Sequence, residues 1–244
     1  MVGYKSDVGI KRKFNEDSVG HFECDSYGIY IVADGMGGHN AGEVASEMAV
    51  SNVIEFVKNN INSLGECVLE DAIENVNKKI YEYSVSNLKL SGMGTTITAC
   101  LVYDGKIVIA NVGDSSCFGI NSSGLFKLTK DHSLVQQLID SGSISEEEAI
   151  NHPNKNIITR AVGTHEDVEV DIFKFDIDEY DKYLMCSDGL TNEVPIERIT
   201  EIIQKEDDNE LACYELVNEA NKNGGRDNIT VMLFGGESVW MAKY

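Results

Sequence analysis

Aspartates placed where short apolar runs end or begin are the feature that most constrains this chain. The runs are rich in β-branched or aromatic residues, which is typical of buried strands. Taken alone, each aspartate would suit a turn or a cap, because glycine or a small polar residue stands beside it. Taken together, they predict that distant strand ends meet in space. The four positions are Asp34, Asp114, Asp188 and Asp227.

Carboxylates gathered at the rim of a core need a partner, because desolvation and mutual repulsion both oppose their ionised forms. A divalent cation removes this conflict. Oxygen ligands are what Mg²⁺ and Mn²⁺ prefer, whereas zinc more often takes His and Cys, which show no ligand-like spacing here. The segment Asn15-Glu16-Asp17 adds two more acids near the N-terminus. The sequence therefore predicts a Mg²⁺ or Mn²⁺ site.

The charge of the chain argues against one class of partner. Of its 244 residues, 41 are acidic and 20 are basic, which gives a formal net charge of −21. Polyanions repel such a chain, so we expect no binding to nucleic acid or to anionic membranes. The charge fits an ordinary solvated surface, and it also fits a chain that keeps carboxylates for hard cations.

Length and composition predict one compact domain over residues 1–244. Hydrophobic residues make up 42% of the chain, and no Pro-, Ser- or Gly-rich stretch reaches a linker's length. The N-terminus has no apolar signal segment, and no stretch approaches the ~20 apolar residues that span a bilayer. We expect a cytoplasmic protein without membrane insertion. The six scattered cysteines are expected to be buried, reduced thiols.

Periodicity predicts a layered α+β sandwich. Apolar residues at helical spacing indicate two helices within 45–57 and 69–83 that pack as a pair. A second pair is expected near the C-terminus, with one helix opened by Pro195 and another over 209–221. Asp104-Gly105 predicts a hairpin between antiparallel strands. The strand-like runs are 28–33, 95–102, 106–111, 168–175, 183–186 and 229–234.

Residues 133–159 differ from the rest of the chain. They combine a short amphipathic piece, a Ser-Gly-Ser turn and an acidic run. We interpret them as a mobile surface excursion. Two alternatives stay open for this segment: an ordinary long loop with a helix, or a flap that faces substrate.

Eight short motifs follow one another from residue 12 to residue 230. They are Arg12-Lys13-Phe14-Asn15-Glu16-Asp17, Asp34-Gly35-Met36-Gly37-Gly38-His39 with Ala41-Gly42-Glu43-Val44-Ala45-Ser46, Gly94-Thr95-Thr96, Val112-Gly113-Asp114-Ser115, Asp131-His132-Ser133, Thr159-Arg160-Ala161-Val162-Gly163, Ser187-Asp188-Gly189-Leu190 and Arg226-Asp227-Asn228-Ile229-Thr230. The ordered set resembles the bacterial metal-dependent Ser/Thr protein phosphatases of the PPM family, also called type 2C. One such motif alone would be weak evidence, but the set covers nearly the whole chain.

The resemblance implies a four-layer α/β/β/α sandwich, in which helix pairs flank two antiparallel sheets and a flap near 133–159 lies beside a metal cluster. It implies two or three Mn²⁺ or Mg²⁺ ions. Asp34 would bridge two ions, and Asp188 with Asp227 would complete the shell of the first. The remaining implied site residues are the Gly35 carbonyl and Glu16 for the second ion, Asp17 as a support behind the ligands, and Asp114 for a third, weaker ion.

The implied mechanism is direct attack on phosphorus by a hydroxide that bridges two ions, with no phosphoenzyme. Arg12 would bind the substrate phosphate, because its planar guanidinium matches phosphate geometry better than a lysine does. Family members from animals commonly carry His after the Asp-Gly, where this chain has Met36. The general acid is therefore unassigned. His39 is a candidate through water, although a cap or packing role is the commoner one for such a residue.

Three functions remain open at this stage. The leading one is a protein Ser/Thr phosphatase that acts on phosphorylated proteins and, by analogy, opposes a bacterial Ser/Thr kinase. The second is a pseudophosphatase that only binds partners, which the presence of Arg12, Asp34, Asp188 and Asp227 disfavours. The third is a metallohydrolase for small phosphate esters. The resemblance also implies a monomer.

Overall fold

Eleven strands form two antiparallel sheets in the computed structural model, which describes residues 2–37, 41–150 and 152–235. Sheet 1 has the strand order β2-β3-β5-β6-β9, with β4 paired to β3, and sheet 2 has the order β1-β11-β10-β7-β8. The strands are β1 (Gly3–Asp7), β2 (Asp17–Glu23), β3 (Tyr27–Met36), β4 (Gly94–Thr95), β5 (Ile97–Tyr103), β6 (Lys106–Val112), β7 (Ser116–Asn121), β8 (Gly124–Lys127), β9 (Asp171–Asp176), β10 (Lys182–Cys186) and β11 (Ile229–Gly235).

Seven α-helices lie mainly outside the sheets in the described part of the chain. Helices α1 and α2 contact each other, and α1 packs on β3. On the other side, α6 contacts α7, which packs on β1 and β11. The helices are α1 (Ala41–Leu64), α2 (Val68–Ser86), α3 (Leu134–Asp140), α4 (Glu146–Ile150), α5 (Asp188–Thr191), α6 (Ile196–Lys205) and α7 (Asn209–Asn223), with short 3-10 turns at Gly65–Cys67 and Leu88–Leu90.

Three apolar layers hold the sandwich together. One lies between α1, α2 and sheet 1, a second lies between sheet 2 and helices α5, α6 and α7, and the third fills the space between the sheets. In this central layer Tyr30 of sheet 1 stacks on Phe234 of sheet 2, with ring centroids 3.9 Å apart and planes 5° apart. Helices, two sheets and helices follow one another, which confirms the four-layer α/β/β/α sandwich.

Most predicted elements are present, with shifted ends. The Asp104-Gly105 hairpin joins β5 to β6, and both residues have positive φ angles of 51° and 73°. The run at 95–102 is divided at Thr96 into β4 and β5, and β9 starts at Asp171, later than the predicted start at 168.

The sequence pattern does not predict four of the strands, which are β1, β2, β7 and β8. Strands β1 and β8 are edge strands whose residues are mostly polar or only partly buried. Strand β2 mixes charged and small residues, and β7 is Ser-Cys-Phe-Gly-Ile-Asn, without a clear apolar run. Tertiary packing places these segments in sheets despite their weak local signals.

Residues 133–159, which we call the flap segment, contain two short helices, α3 and α4, where the sequence indicates one amphipathic piece. Its two ends are held together, because Ser133 pairs with Ile158 in an isolated β-bridge and Thr159 N–H donates to the His132 carbonyl at 2.8 Å. The Ser133 hydroxyl caps α3 by accepting from Gln136 N–H at 3.2 Å. The flap segment is therefore an excursion with an ordered base.

The cysteine prediction was only partly right. Cys100, Cys117, Cys186 and Cys213 are buried and carry free thiols. Cys24 is partly buried, and Cys67 is exposed because it ends the surface turn between α1 and α2. Among the described residues, no helix is both long and apolar enough to cross a membrane.

Candidate active site

Strand ends from both sheets converge on a cavity of about 220 Å³ at one end of the sandwich. Asp34 lies near the end of β3, Asp114 follows β6, Asp188 follows β10 and Asp227 precedes β11. Asn156 and Ile158 of the flap segment complete the wall. The structure therefore brings most of the predicted site residues together. Those that line this cavity are Arg12, Glu16, Asp34, Gly35, Asp114, Asp188 and Asp227.

The backbone of Asp34 is fixed by two threonines. Asp34 N–H donates to Thr96 Oγ1 at 2.9 Å, and its carbonyl accepts from Thr96 N–H at 2.8 Å and from Thr95 Oγ1 at 3.0 Å. The sequence predicted a turn at Asp34-Gly35, but β3 continues to Met36 because β4 pairs with it. Asp34 is thus held in a strand, where its backbone has little freedom to move.

Gly35 and Glu16 are joined through their main chains. Gly35 N–H donates to the Glu16 carbonyl at 3.1 Å, and Glu16 Oε1 accepts from Gly42 N–H at 3.2 Å. A Cβ at Gly35 would overlap the carbonyl oxygens of Gly42 and Glu16, so a side chain has no room there. Burial raises the pKa of the Glu16 carboxyl.

Asp17 lies opposite Asp34 across the β2–β3 pair and is buried rather than part of the cavity lining. Its Oδ2 accepts from Ser187 Oγ at 2.8 Å, while its Oδ1 has no hydrogen-bond partner. Burial raises the pKa of Asp17 to about 7, although the neighbouring Thr230 and Ser187 hydroxyls oppose the shift. The position fits a group that supports the ligands from behind.

Asp188 starts helix α5, whereas the sequence suggested a turn at this point. Its Oδ2 accepts from Asn192 Nδ2 at 2.9 Å, and its Oδ1 is buried without a partner. Burial and then repulsion from Asp227 raise the pKa of Asp188 to about 6. One oxygen of this carboxylate is therefore fixed by the helix, and the other is left for a ligand.

Burial and neighbouring acids also raise the pKa values of Asp114 and Asp34. Burial, followed by repulsion from Asp188 and Asp131, raises the pKa of Asp114 to about 7, and its Oδ1 is buried without a partner. Burial, followed by repulsion from Asp17 and other aspartates of the cluster, raises the pKa of Asp34 well above its usual value.

The donor set fits divalent cations. All candidate side-chain ligands are carboxylates, which suits hard ions, and buried oxygens of Asp17, Asp114 and Asp188 lack hydrogen-bond partners. As placed, however, no three His, Cys, Asp or Glu side chains within the described ranges come together as a group that could hold an ion. Repulsion among the acids and the pairing of Asp227 with Arg12 both work against closer convergence.

Arg12 reaches the cluster from the loop between β1 and β2. Its Nη2 donates to Asp227 Oδ2 at 2.8 Å, and its side chain remains half exposed. Asn228 holds this loop, because its Nδ2 donates to the carbonyls of Val8 and Phe14, each at 2.9 Å. The guanidinium is therefore placed at the cavity mouth with open faces.

His39 lies outside the described residues. Met36 lines the cavity, and no histidine belongs to the described part of that lining. The sequence predicts only a strand at Thr95 and Thr96, and it predicts no role for Ser187 or Asn228. The structure shows that all four hold the acids or the Arg12 loop. The available signal was their place inside the motifs Gly94-Thr95-Thr96, Ser187-Asp188-Gly189 and Asp227-Asn228.

His132 ties the flap segment to the loop that carries Asp114. Its Nδ1 accepts from Gly113 N–H at 3.0 Å, and its backbone N–H donates to the Gly113 carbonyl at 2.9 Å. Its Nε2 faces Asp171 Oδ2 at 3.2 Å. Arg160 Nη1 lies 2.8 Å from the same nitrogen. Burial lowers the pKa of His132.

A second cavity of about 300 Å³ adjoins the first, because Asp114 and Asp188 line both. It runs between the flap segment and helix α5. Thr191 and Asn192 of α5 and the following turn form its polar side. Its apolar wall comes from the flap segment and consists of Val135, Ile139, Ala149 and Ile150.

Comparisons with known proteins agree with this architecture. A family model described as Protein phosphatase 2C matches residues 10–211. The chain is 46% identical over 235 residues to the serine/threonine phosphatase stp of Listeria monocytogenes serotype 4b, which covers 94% of this chain and 93% of that protein. It is 37% identical over 236 residues to protein phosphatase PhpP of Streptococcus pneumoniae, with 95% and 96% covered. The crystal structure of serine/threonine phosphatase Stp1 from Staphylococcus aureus matches with a TM-score of 0.90 at 37% identity, covering 96% of this chain and 94% of that one.

Proposed function

Because this chain belongs to the protein phosphatase 2C family and is a protein Ser/Thr phosphatase, we propose that the cavity at the strand ends is its catalytic centre. One observation carries the assignment: Asp34, Asp114, Asp188 and Asp227 from distant parts of the chain line one cavity with Asp17 behind them, and three of these five keep a buried oxygen without a partner. Such a cluster is unfavourable without a cation.

Members of this family depend on divalent metal, and we assign the ligands as Asp34, Asp188 and Asp227 for one ion, with Asp34, the Gly35 carbonyl and Glu16 for a second. Asp114 would serve a third ion together with Asp188. We propose Mn²⁺ or Mg²⁺, since every donor is oxygen. Bound ions of this kind supply Lewis acidity and an activated water for attack at phosphorus.

Arg12 binds the substrate phosphate in this proposal. Its guanidinium is always charged and presents a planar fork of donors that matches phosphate oxygens. The contact with Asp227 holds the fork at the cavity mouth in the absence of substrate. Asn228 and Ser187 contribute by fixing the Arg12 loop and Asp17, respectively.

The second cavity takes the polypeptide on one side of the phosphorylated residue. Its support is the shared wall, since Asp114 and Asp188 belong to both cavities. The apolar side chains of the flap segment suit an aliphatic neighbour of the phosphoserine or phosphothreonine. This assignment selects the substrate-facing role among the alternatives for residues 133–159.

The substrates are phosphorylated proteins, and we propose that a bacterial Ser/Thr kinase produces them. A phosphatase of this type needs a supply of phosphoserine or phosphothreonine, which such a kinase provides. We further propose that residues 1–244 act as one catalytic domain and as a monomer. Sedimentation of the purified chain with and without Mn²⁺ tests the monomer.

Phosphate release tests the function. A phosphothreonine peptide and nitrophenyl phosphate are each offered with Mn²⁺ or with EDTA, and the Asp34→Asn variant serves as the control. We expect metal-dependent release from the peptide that Asp34→Asn abolishes. Release from nitrophenyl phosphate alone would favour an esterase for small phosphates, and release from neither substrate would favour a partner-binding module.

A further inference from the structure

Glu193 is a buried carboxylate that does not line either cavity at the active site. It is the one buried glutamate among the described residues, with a side chain only 3% exposed. Among the described residues its side-chain hydrogen bonds all come from Arg226: Oε1 accepts from Arg226 Nε at 2.9 Å and from Arg226 backbone N–H at 3.2 Å, and Oε2 accepts from Nη2 at 3.1 Å. The backbone bond fixes the main chain of Arg226 as well as its side chain.

A contribution to folding stability does not by itself explain the buried Glu193–Arg226 ion pair. Burying a carboxylate costs free energy, and an ion pair often returns no more than an apolar pair of the same size would. A bidentate Arg–carboxylate pair does, however, impose a defined geometry on the two segments that carry it. The question is then which segments Glu193 joins.

One of these segments carries Asp188. Glu193 lies just after α5, the four-residue helix that begins with Asp188, and its N–H donates to the Leu190 carbonyl at 3.1 Å. Leu190 and Val194 are buried on either side of it. The Glu193 carbonyl accepts from Asn223 Nδ2 at 2.9 Å, which attaches it to the end of α7.

The other segment is the turn at residues 224–227, which leads from α7 to Asp227. Gly224 and Gly225 have φ angles of 148° and 51°, so this turn relies on backbone conformations that favour glycine. The Gly225 carbonyl accepts from Ile10 N–H at 2.8 Å and Lys11 N–H at 3.0 Å. The same turn thus precedes Asp227 and anchors the loop that presents Arg12.

We propose that Glu193 is a positioning residue: through Arg226 it fixes the turn at residues 224–227, so that Asp227 and Arg12 stay in place beside Asp188. This inference rests on the proposed function, because it assigns consequences to Asp227 as a metal ligand and to Arg12 as a phosphate-binding group. Neither Glu193 nor Arg226 touches substrate or metal in this arrangement.

Titration calorimetry with Mn²⁺ tests the proposal on the EDTA-treated full chain and needs no turnover. Glu193→Gln keeps the shape of the side chain but removes the negative charge that binds the Arg226 guanidinium. We expect Mn²⁺ to bind roughly 10-fold more weakly, the low end of what outer-shell substitutions cost. The KM for a phosphothreonine peptide, measured at saturating Mn²⁺, should rise as well, because the Arg12 loop loses its anchor.

Glu219→Gln is the matched control, since Glu219 accepts from Arg198 Nε at 3.0 Å away from the cavity. It should leave Mn²⁺ affinity unchanged. A purely structural role for Glu193 would lower the unfolding temperature in EDTA while Mn²⁺ affinity stayed within about 2-fold, and that result would overturn the proposal.

Arg226→Lys decides the matter if Glu193→Gln does not fold, because the Arg226 side chain is 71% exposed and its replacement leaves Glu193 with a cation. It should weaken Mn²⁺ binding, whereas wild-type affinity in this variant would overturn the proposal.

Asp34→Asn distinguishes failure of this inference from failure of the proposed metal centre. If Asp34→Asn binds Mn²⁺ as the wild type does, the proposed metal centre is wrong and the inference falls with it. Loss of binding in Asp34→Asn, with wild-type binding in both Glu193→Gln and Arg226→Lys, rejects the inference alone.

Discussion

Arg12 and Asp227 form an ion pair of 2.8 Å although 215 positions separate them in the sequence. The pair joins the group proposed to bind phosphate to a group proposed to bind metal. Its two side chains remain partly exposed, so substrate and ions can reach both. Phosphate can therefore reach the free donors of the guanidinium, whereas a metal ion at Asp227 would compete with Arg12 for the same carboxylate.

Arg12→Ala should lower kcat/KM for a phosphothreonine peptide by roughly 10- to 100-fold. A charge-assisted hydrogen bond contributes about 1.5–3 kcal/mol, and ~1.4 kcal/mol corresponds to a factor of ten. Mn²⁺ affinity measured by calorimetry should stay largely intact, because the carboxylates remain. Lys13→Ala in the same loop is the control, and an unchanged kcat/KM in Arg12→Ala would remove the phosphate-binding role.

Ile139→Asp tests the second cavity. A charge on the apolar wall of the flap segment should raise the KM for a peptide with an aliphatic residue beside the phosphothreonine by about 10-fold, since apolar burial of ~1.4 kcal/mol is lost. Nitrophenyl phosphate has no polypeptide, so its KM should not change. Phe126→Asp alters a different exposed apolar residue as the control. Equal effects on both substrates would contradict the assignment.

His132 should lower the thermal stability of the metal-free chain as the pH decreases below 6.5, whereas buried aspartates with raised pKa values act in the opposite direction. Burial lowers the pKa of His132 below its usual 6.5. The unfolded chain then takes up a proton before the folded chain does, so the stabilisation is complete above pH 6.5 and is lost towards the folded pKa. Arg160 opposes a positive charge on the ring, whereas Asp171 and Asp131 favour it.

Unfolding temperatures of the wild type and His132→Gln, measured in EDTA between pH 5 and 8, check this prediction. Between pH 6.5 and 5 the unfolding temperature of the wild type should fall relative to that of the variant, because only the wild type has the titrating ring. The aspartates contribute equally to both proteins. Parallel curves for the two proteins would show that His132 does not contribute.

Phe234→Ala should destabilise the fold by about 3–5 kcal/mol, the usual loss for a large buried aromatic residue. Phe234 is almost fully buried and stacks on Tyr30 and Tyr183 between the sheets. Tyr214→Ala on the exposed side of α7 should change the free energy of unfolding by less than about 0.5 kcal/mol. Chemical denaturation of both variants measures the difference, and a similar loss in the two would be inconsistent with the central layer.

Much of the fold could be predicted because local signals agreed with the tertiary structure. The apolar stripes of α1 and α2, the Asp104-Gly105 turn and the strongest strands all carry their own periodicity. Strands β1, β2, β7 and β8 do not, since their residues are polar or small and pairing with neighbours defines them. The helical content of the flap segment was likewise weak in the sequence, because its helices are short.

The candidate site was predictable where a residue type and its chemistry coincide. Aspartates at strand ends predict a cation site, and the ordered motifs indicate the family. The residues that hold the site in place were harder to predict from the sequence. Ser187, Thr96 and Glu193 act through hydrogen bonds that form only in the folded chain. The Arg12–Asp227 contact also needs the folded chain, since the two ends of the sequence form it.

Anomalous diffraction at the manganese edge, from crystals of this chain grown with MnCl₂, tests the central claim most directly. We expect two strong peaks in the cavity, with oxygens of Asp34 shared between them and with Asp188 and Asp227 on one of the ions. A cavity without anomalous density, or peaks held only by other residues, would contradict the assignment of these aspartates as the metal ligands.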